Sequence, residues 1–195
     1  AFFIVAALIK KNSRLTMKNI NYNDRRIGII KVLEKMGAKI TIDNKRTEIN
    51  DTVVDITSEY SQLESVNING EIISDLIDEL PILFIVCAAC NGISQISNIE
   101  ELRYKESDRI ESMEKGLNLL GIKTESTQDS IKIHGGKLTG GIVDSFGDHR
   151  VAMAFSIAAL ISEKPITILN TKNISTSFPN FLDLLIEIGA ELYES

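Results

Sequence analysis

The sequence predicts an α/β fold: stacked copies of one supersecondary unit, arranged around apolar helices buried on every side. Three observations carry this. A three-part internal repeat runs through the 195 residues. Each copy contains an Ala-rich apolar segment with no polar face, the mark of a helix enclosed by protein. Each copy also holds an amphipathic segment that stops at a glycine in matching register.

The first copy reads "FFIVAALI…RLTMKNI…RRIGIIKVLEKMGAKITI", the second "PILFIVCAAC…ISQISNI…ESMEKGLNLLGIKTES" and the third "VAMAFSIAALI…PITILNT…FPNFLDLLIEIGAELYE". Each predicts an apolar helix, a short strand, an amphipathic helix and a further strand. From the second alanine of each Ala pair to the closing glycine runs Ala7 to Gly37, Ala89 to Gly121 and Ala159 to Gly189, spacings of 30, 32 and 30 residues. The amphipathic helices show their buried faces at three- and four-residue steps. These faces are Ile29, Val32, Leu33 and Met36, then Ile110, Met113, Leu117 and Leu120, then Phe181, Leu184, Leu185 and Ile188. The glycines sit where a left-handed C-cap is expected. In the third copy Ser177 is the N-cap candidate and Pro179 fits the first turn. Between copies, residues 47–69 and 130–146 read as strands and hairpin turns. The chain is expected to be one domain of three repeats, approximately 1–65, 66–135 and 136–195.

Composition narrows the function. A hydrophobic share of 44% and a charged share of 25% suit a water-soluble globular domain. A net charge of −6 argues against a nucleic-acid partner, whose phosphates need a basic surface. Only 6% of residues are aromatic and none is Trp, so a base-stacking platform is not expected either. The longest apolar run, "LPILFIVCAAC", falls short of the roughly 20 residues that span a bilayer, and no membrane association is expected. "AFFIVAALI" has no basic stretch before it, which does not fit a signal peptide. The chain opens inside an apolar stretch without Met and is expected to be a piece of a longer protein. Cys87 and Cys90 form a C-x-x-C pair flanked by apolar residues, which reads as buried helical thiols in a reducing cytoplasm. There is no G-x-G-x-x-G or Walker A run, and "GGKLTGG" lacks the strand-to-helix setting of a nucleotide loop.

The charged residues fall at helix starts, where free N–H groups and the helix dipole favour anions. "RYKESDRI", residues 103–110, opens the second amphipathic helix and brings Lys105, Glu106 and Arg109. "GDHRVAM", residues 147–153, opens the third apolar helix, with Asp148 as N-cap candidate and Arg150 in the first turn. A buried helix that begins His-Arg needs a partner for its charge. If the repeats pack side by side, Lys105, Arg109 and Arg150 can converge on one anion-rich ligand, and arginine's fork suits phosphate and carboxylate oxygens. "SDLIDELP" places Asp75, Asp78 and Glu79 before the second apolar helix, with Pro81 in its first turn. Asp75 and Glu79 read as routine acidic residues there. Asp78 depends on what the site binds.

"LRYKESDRI", "DSFGDHRVAMAF", "IDELPIL" and "TSFPNF" together resemble the C-terminal half of the enolpyruvyl transferase family, in order and over essentially the whole chain. The pairing of "KESDR" with "DHR" some 40 residues later is the specific part. The resemblance is to the branch that moves the enolpyruvyl group of phosphoenolpyruvate to the 5-hydroxyl of shikimate 3-phosphate. It implies βαβαββ-type units around buried parallel helices, an inside-out α/β barrel domain. It also implies a partner N-terminal domain of the same full-length protein, with the substrates bound in the cleft between the two.

By the same resemblance Asp78 is the candidate proton acceptor at the shikimate hydroxyl, and Glu106 the group that moves a proton to and from the methylene carbon of phosphoenolpyruvate. Lys105 corresponds to a lysine of the shikimate phosphate site, and Arg109 and Arg150 to arginines that bind phosphoenolpyruvate. Arg103 and Asp108 are expected to support that geometry, and Arg26 to be structural. No metal or organic cofactor is implied, and the sequence shows no metal-ligand cluster. Better-known members carry a lysine where Thr176 stands, so part of the phosphoenolpyruvate contact is expected to be missing or supplied otherwise. Some carry Asn in place of Glu101. Two alternatives stand beside this reading. One is the family branch that acts on UDP-N-acetylglucosamine, which uses a reactive cysteine. The other is a non-catalytic α/β binding domain of the same fold.

Overall fold

The computed structural model describes residues 1–23, 27–48 and 51–193. Arg26 lies outside them. The chain runs α1 (Phe2–Ile9), β1 (Arg14–Asn21), α2 (Gly28–Lys35), β2 (Lys39–Glu48) and β3 (Asp51–Glu59). It continues through β4 (Asn67–Ile68), the 3₁₀ turns Gly70–Ile73 and Ile77–Glu79, α3 (Leu80–Ala89), β5 (Ile93–Ser97) and the 3₁₀ turn Glu100–Tyr104. Next come α4 (Arg109–Leu119), β6 (Thr124–Ser126) and β7 (Ser130–His134), then β8 (Gly141–Asp144), α5 (His149–Ala159), β9 (Ile166–Leu169), α6 (Asn173–Ser177) and α7 (Phe181–Glu187).

The three apolar segments form α1, α3 and α5, and these helices pack against one another in the interior. Every residue from Leu80 to Ala88 of α3 is buried. Leu8 of α1, Leu83 and Phe84 of α3 and Phe155 of α5 are fully buried, each worth about 1.5–3 kcal/mol of burial. The three helices run parallel. At one end Lys10 Nζ, just past α1, donates to Leu160 O, just past α5, at 2.6 Å. At that same end Ser61 N donates to Leu8 O of α1, and Asn91 N, just past α3, donates to Leu63 O. At the opposite end Arg150 in the first turn of α5 donates to Asp78 O ahead of α3, at 2.7 Å. The three helix N-termini therefore share one face of the molecule.

Sheets wrap this helical centre. The first is antiparallel in order β1-β3-β2; the second runs β4-β5-β7-β6, with β4 and β5 parallel and the rest antiparallel; the third is the parallel pair β8-β9. The parallel pairs are what α3 and α5 require, since each helix is the crossover between two strands of one sheet. The amphipathic helices end as their sequence demands: Gly37, Gly121 and Gly189 have φ of 90°, 87° and 95°, the left-handed cap that glycine adopts without strain. The faces read for α2 and α4 are buried. Cys87 is enclosed in α3 and Cys90 caps it. Burial pushes the Cys87 thiol up to about 12 and raises that of Cys90 as well. Among the described residues no helix is long and apolar enough to cross a membrane.

The third copy departs from the expectation at its end. Ser177 closes α6 instead of capping α7; the N-cap is Asn180, and Pro179 precedes it. The backbone of Phe181 bonds back to Phe178 O, a turn that starts the helix three residues later than the Ser-x-Pro pattern suggests. Residues 190–193 form no strand, and β9 pairs only with β8. A strand needs a partner's ladder for its polar backbone, and residues 190–193 pair with none. Without that cover Ile188 is exposed, although the face of α7 holding Phe181 and Leu185 is buried.

Candidate active site

Four of the five residues singled out by sequence meet at the shared N-terminal face of the helices. Arg109 is the first residue of α4 and points inward, its side chain only 2% exposed. Such a charge survives burial only if it is paired. Its Nε donates to Asp148 Oδ2 at 2.8 Å, its Nη2 to Glu106 Oε2, and its Nη1 lies 3.4 Å from Asp78 Oδ1. One guanidinium thus gathers carboxylates from three places in the chain. An anion that reaches Arg109 must displace Glu106 or Asp78 from it.

Asp148 is fully buried and does two jobs. It caps α5, accepting from the amides of Arg150 and Val151 at 2.9 and 3.3 Å, and it holds Arg109. Ser107 Oγ also donates to it, at 3.2 Å. Burial works to raise its pKa, but the hydrogen bond and charge of Arg109, with the two amides, hold the carboxyl below the usual carboxylate range. Asp78 and Glu106 differ from it in being half exposed, at 49% and 51%. Half of each side chain is open to solvent, where a carboxylate can exchange a proton with a bound molecule.

Arg150 spans the starts of α5 and α3. Besides its bond to Asp78 O, it lies 3.8 Å from Asp78 Oδ2 and 3.7 Å from Glu79 Oε1. Glu79, read from sequence as routine, therefore belongs to the cluster. His149 Nδ1 stands 3.7 Å from Glu106 Oε1. Lys105 is set apart from these four: it follows the 3₁₀ turn Glu100–Tyr104, and its ammonium pairs with Glu101 Oε1 at 2.5 Å.

The loop that carries Lys105 and Glu106 is clamped at both ends. Arg103 Nη1 donates to Asp108 Oδ2 at 2.7 Å, its Nε to Gln128 O at 2.8 Å and its Nη2 to Thr127 O, tying the loop to the β6–β7 turn. Asp108 in turn caps α4 through Glu111 N at 2.9 Å. Both residues hold the geometry expected of them. Thr176 is exposed on α6.

Sequence reasoning missed Asp148 as the partner of Arg109, and it missed Ser107 and His149. The available signal was the opening of a buried helix with His-Arg, which demanded a countercharge without saying which. The fold also gathers donors that sequence spacing did not: one atom each from Glu106, Asp148 and His149 lies within 4.8 Å of the others. Arg109 already holds both carboxylates, so a guanidinium stands where a metal cation would, and the set does not suit one.

A family model for EPSP synthase (3-phosphoshikimate 1-carboxyvinyltransferase) matches residues 1–185. A 3-phosphoshikimate 1-carboxyvinyltransferase of Legionella pneumophila (strain Paris) is 44% identical over 182 residues, 93% of this chain and 42% of that protein. One from Bacillus cytotoxicus is 43% identical over 189 residues, 96% of this chain and 45% of that protein. The solved EPSP synthase of Acinetobacter baumannii superposes with a TM-score of 0.93 at 38% identity, covering 96% of this chain and 44% of its own. The enolpyruvyl transferase NikO of Streptomyces tendae shares the fold, with a TM-score of 0.76 at 19% identity over 97% of this chain and 42% of its own. The chain spans less than half the length of these relatives. On its matched sequence and its fold, it belongs to the EPSP synthase family.

Proposed function

We propose that the chain is one half of a 3-phosphoshikimate 1-carboxyvinyltransferase, a single domain of three repeats (approximately 1–65, 66–135 and 136–195) that works with an N-terminal domain of the same protein in the cytoplasm. The reaction joins the 5-hydroxyl oxygen of shikimate 3-phosphate to C2 of phosphoenolpyruvate while a proton reaches C3. Loss of that proton and of phosphate then restores the enol ether. Addition needs a base at the hydroxyl and an acid at C3, and elimination returns the second proton. Asp78 takes the first role and Glu106 the second. Arg109 and Arg150 hold the charges of phosphoenolpyruvate, and Lys105 holds those of shikimate 3-phosphate.

The observation that carries this reading is the pair of half-exposed carboxylates, Asp78 and Glu106, held on one buried arginine between two helix starts. Arg109 gathers both in the empty site, and a phosphoenolpyruvate anion that takes their place on it frees them for proton transfer. The family branch that relies on a reactive cysteine fits less well, because both thiols are buried and raised in pKa. In the full-length enzyme Glu106→Gln is expected to cut turnover by roughly 10²-fold or more, the usual scale for an acid–base group. Steady-state kinetics decide it, and unchanged turnover would remove Glu106 from the mechanism.

A further inference from the structure

We infer that Glu101 tunes the affinity of this site for its phosphorylated substrate by competing with that substrate for Lys105. The inference rests on reading Lys105 as a ligand of shikimate 3-phosphate. Glu101 stands one turn ahead of Lys105, and their side chains meet at 2.5 Å. Among the described residues this is the one ion pair Lys105 makes, whereas Arg109 and Arg150 share the carboxylates of Asp78, Glu79, Glu106 and Asp148. The neighbouring acid, Glu100, is turned elsewhere: its Oε1 accepts from Tyr104 Oη and Gln128 Nε2, both at 3.4 Å. So one carboxylate governs this ammonium.

The pair is asymmetric. Lys105 is 25% exposed and Glu101 65%, so Glu101 is the member free to move. An incoming phosphate ester must push that carboxylate aside or bind against its repulsion. Either way the pair weakens substrate binding while it holds the Lys105 ammonium in the empty site. Exposed pairs of this kind are modest in strength, which corresponds to a change of about two- to fivefold in a dissociation constant. They are also screened by salt.

The test is isothermal titration of shikimate 3-phosphate into the full-length enzyme and its Glu101→Gln, Lys105→Met and double variants, at low and high ionic strength. The expected result is that Glu101→Gln tightens binding about two- to fivefold at low salt and less at high salt. Lys105→Met weakens binding, and in that background Glu101→Gln brings a smaller gain. If Lys105→Met weakens binding but Glu101→Gln leaves it unchanged or weaker, or brings an equal gain in both backgrounds, the competition is overturned and the assignment of Lys105 stands. If Lys105→Met leaves binding unchanged, the assignment of Lys105 itself fails.

Discussion

At position 148 one carboxylate accepts from the guanidinium of Arg109, from Ser107 Oγ and from the amides of Arg150 and Val151. Replacing it with a neutral amide leaves the buried arginine without its fully buried countercharge. Asp148→Asn is therefore expected to destabilise the fold by about 3–5 kcal/mol, as for other buried pairs broken on one side, and urea denaturation measures it. The pH dependence has a definite sign. Because the native carboxyl is held below its usual value of 3.8, the stability it adds is complete above that value and drains away as pH falls through the lower native one. The gap in stability between wild type and Asp148→Asn should thus be constant at neutral pH and narrow in acid below about 3.8. That Asp148 would cap α5 was legible in "GDHR"; that it would pair with Arg109, 39 residues away, was not. Pairing at that separation depends on how α4 lies against α5, which local rules leave open.

Between those two helices the decisive residue is Gly116. A Cβ built there would lie 2.2 Å from the Phe155 ring, so α4 sits against α5 at a distance that only glycine allows. Phe155 is itself fully buried and has little room to yield. Gly116→Ala is expected to cost about 1–3 kcal/mol as an overpacked core, read as a lower Tm. It should also lower turnover, since Arg109 and Asp148 stand at the starts of the same two helices. The elements themselves were well marked in the sequence. Apolar helices without a polar face, Gly-closed amphipathic helices and the repeat spacing all rest on local chemistry, and all three are present. The expected last strand failed because a strand exists only through its partner, and no sequence pattern in residues 190–193 states whether a free edge is within reach. Ser177 failed similarly: the Ser-x-Pro signal is sound for an isolated helix start, but α6 already occupies that serine.

Across the whole molecule the site is a surface lined by its own countercharges. Three fixed cations, Lys105, Arg109 and Arg150, face five carboxylates, Asp78, Glu79, Glu101, Glu106 and Asp148. The helix dipoles add partial positive charge from behind, yet on the proposed reading two multiply charged substrates need more cations than this face supplies. On that reading the remainder of the binding charge is expected from the proposed N-terminal domain. Calorimetry on residues 1–195 alone should accordingly give weak or undetectable binding of phosphoenolpyruvate and of shikimate 3-phosphate. Tight binding of either would contradict a site divided between two domains. The parallel helices behind the site have a separate use. Cys87 lies sealed among them with its thiol held almost wholly protonated, so an alkylating reagent can reach a reactive thiolate only after the core comes apart. Its modification rate in native buffer is then a clock for global opening, while Cys90, at the helix end, reports local fraying. Mass spectrometry of the two peptides should show Cys87 modified far more slowly than Cys90, so that the natural chain times its own unfolding without an added probe.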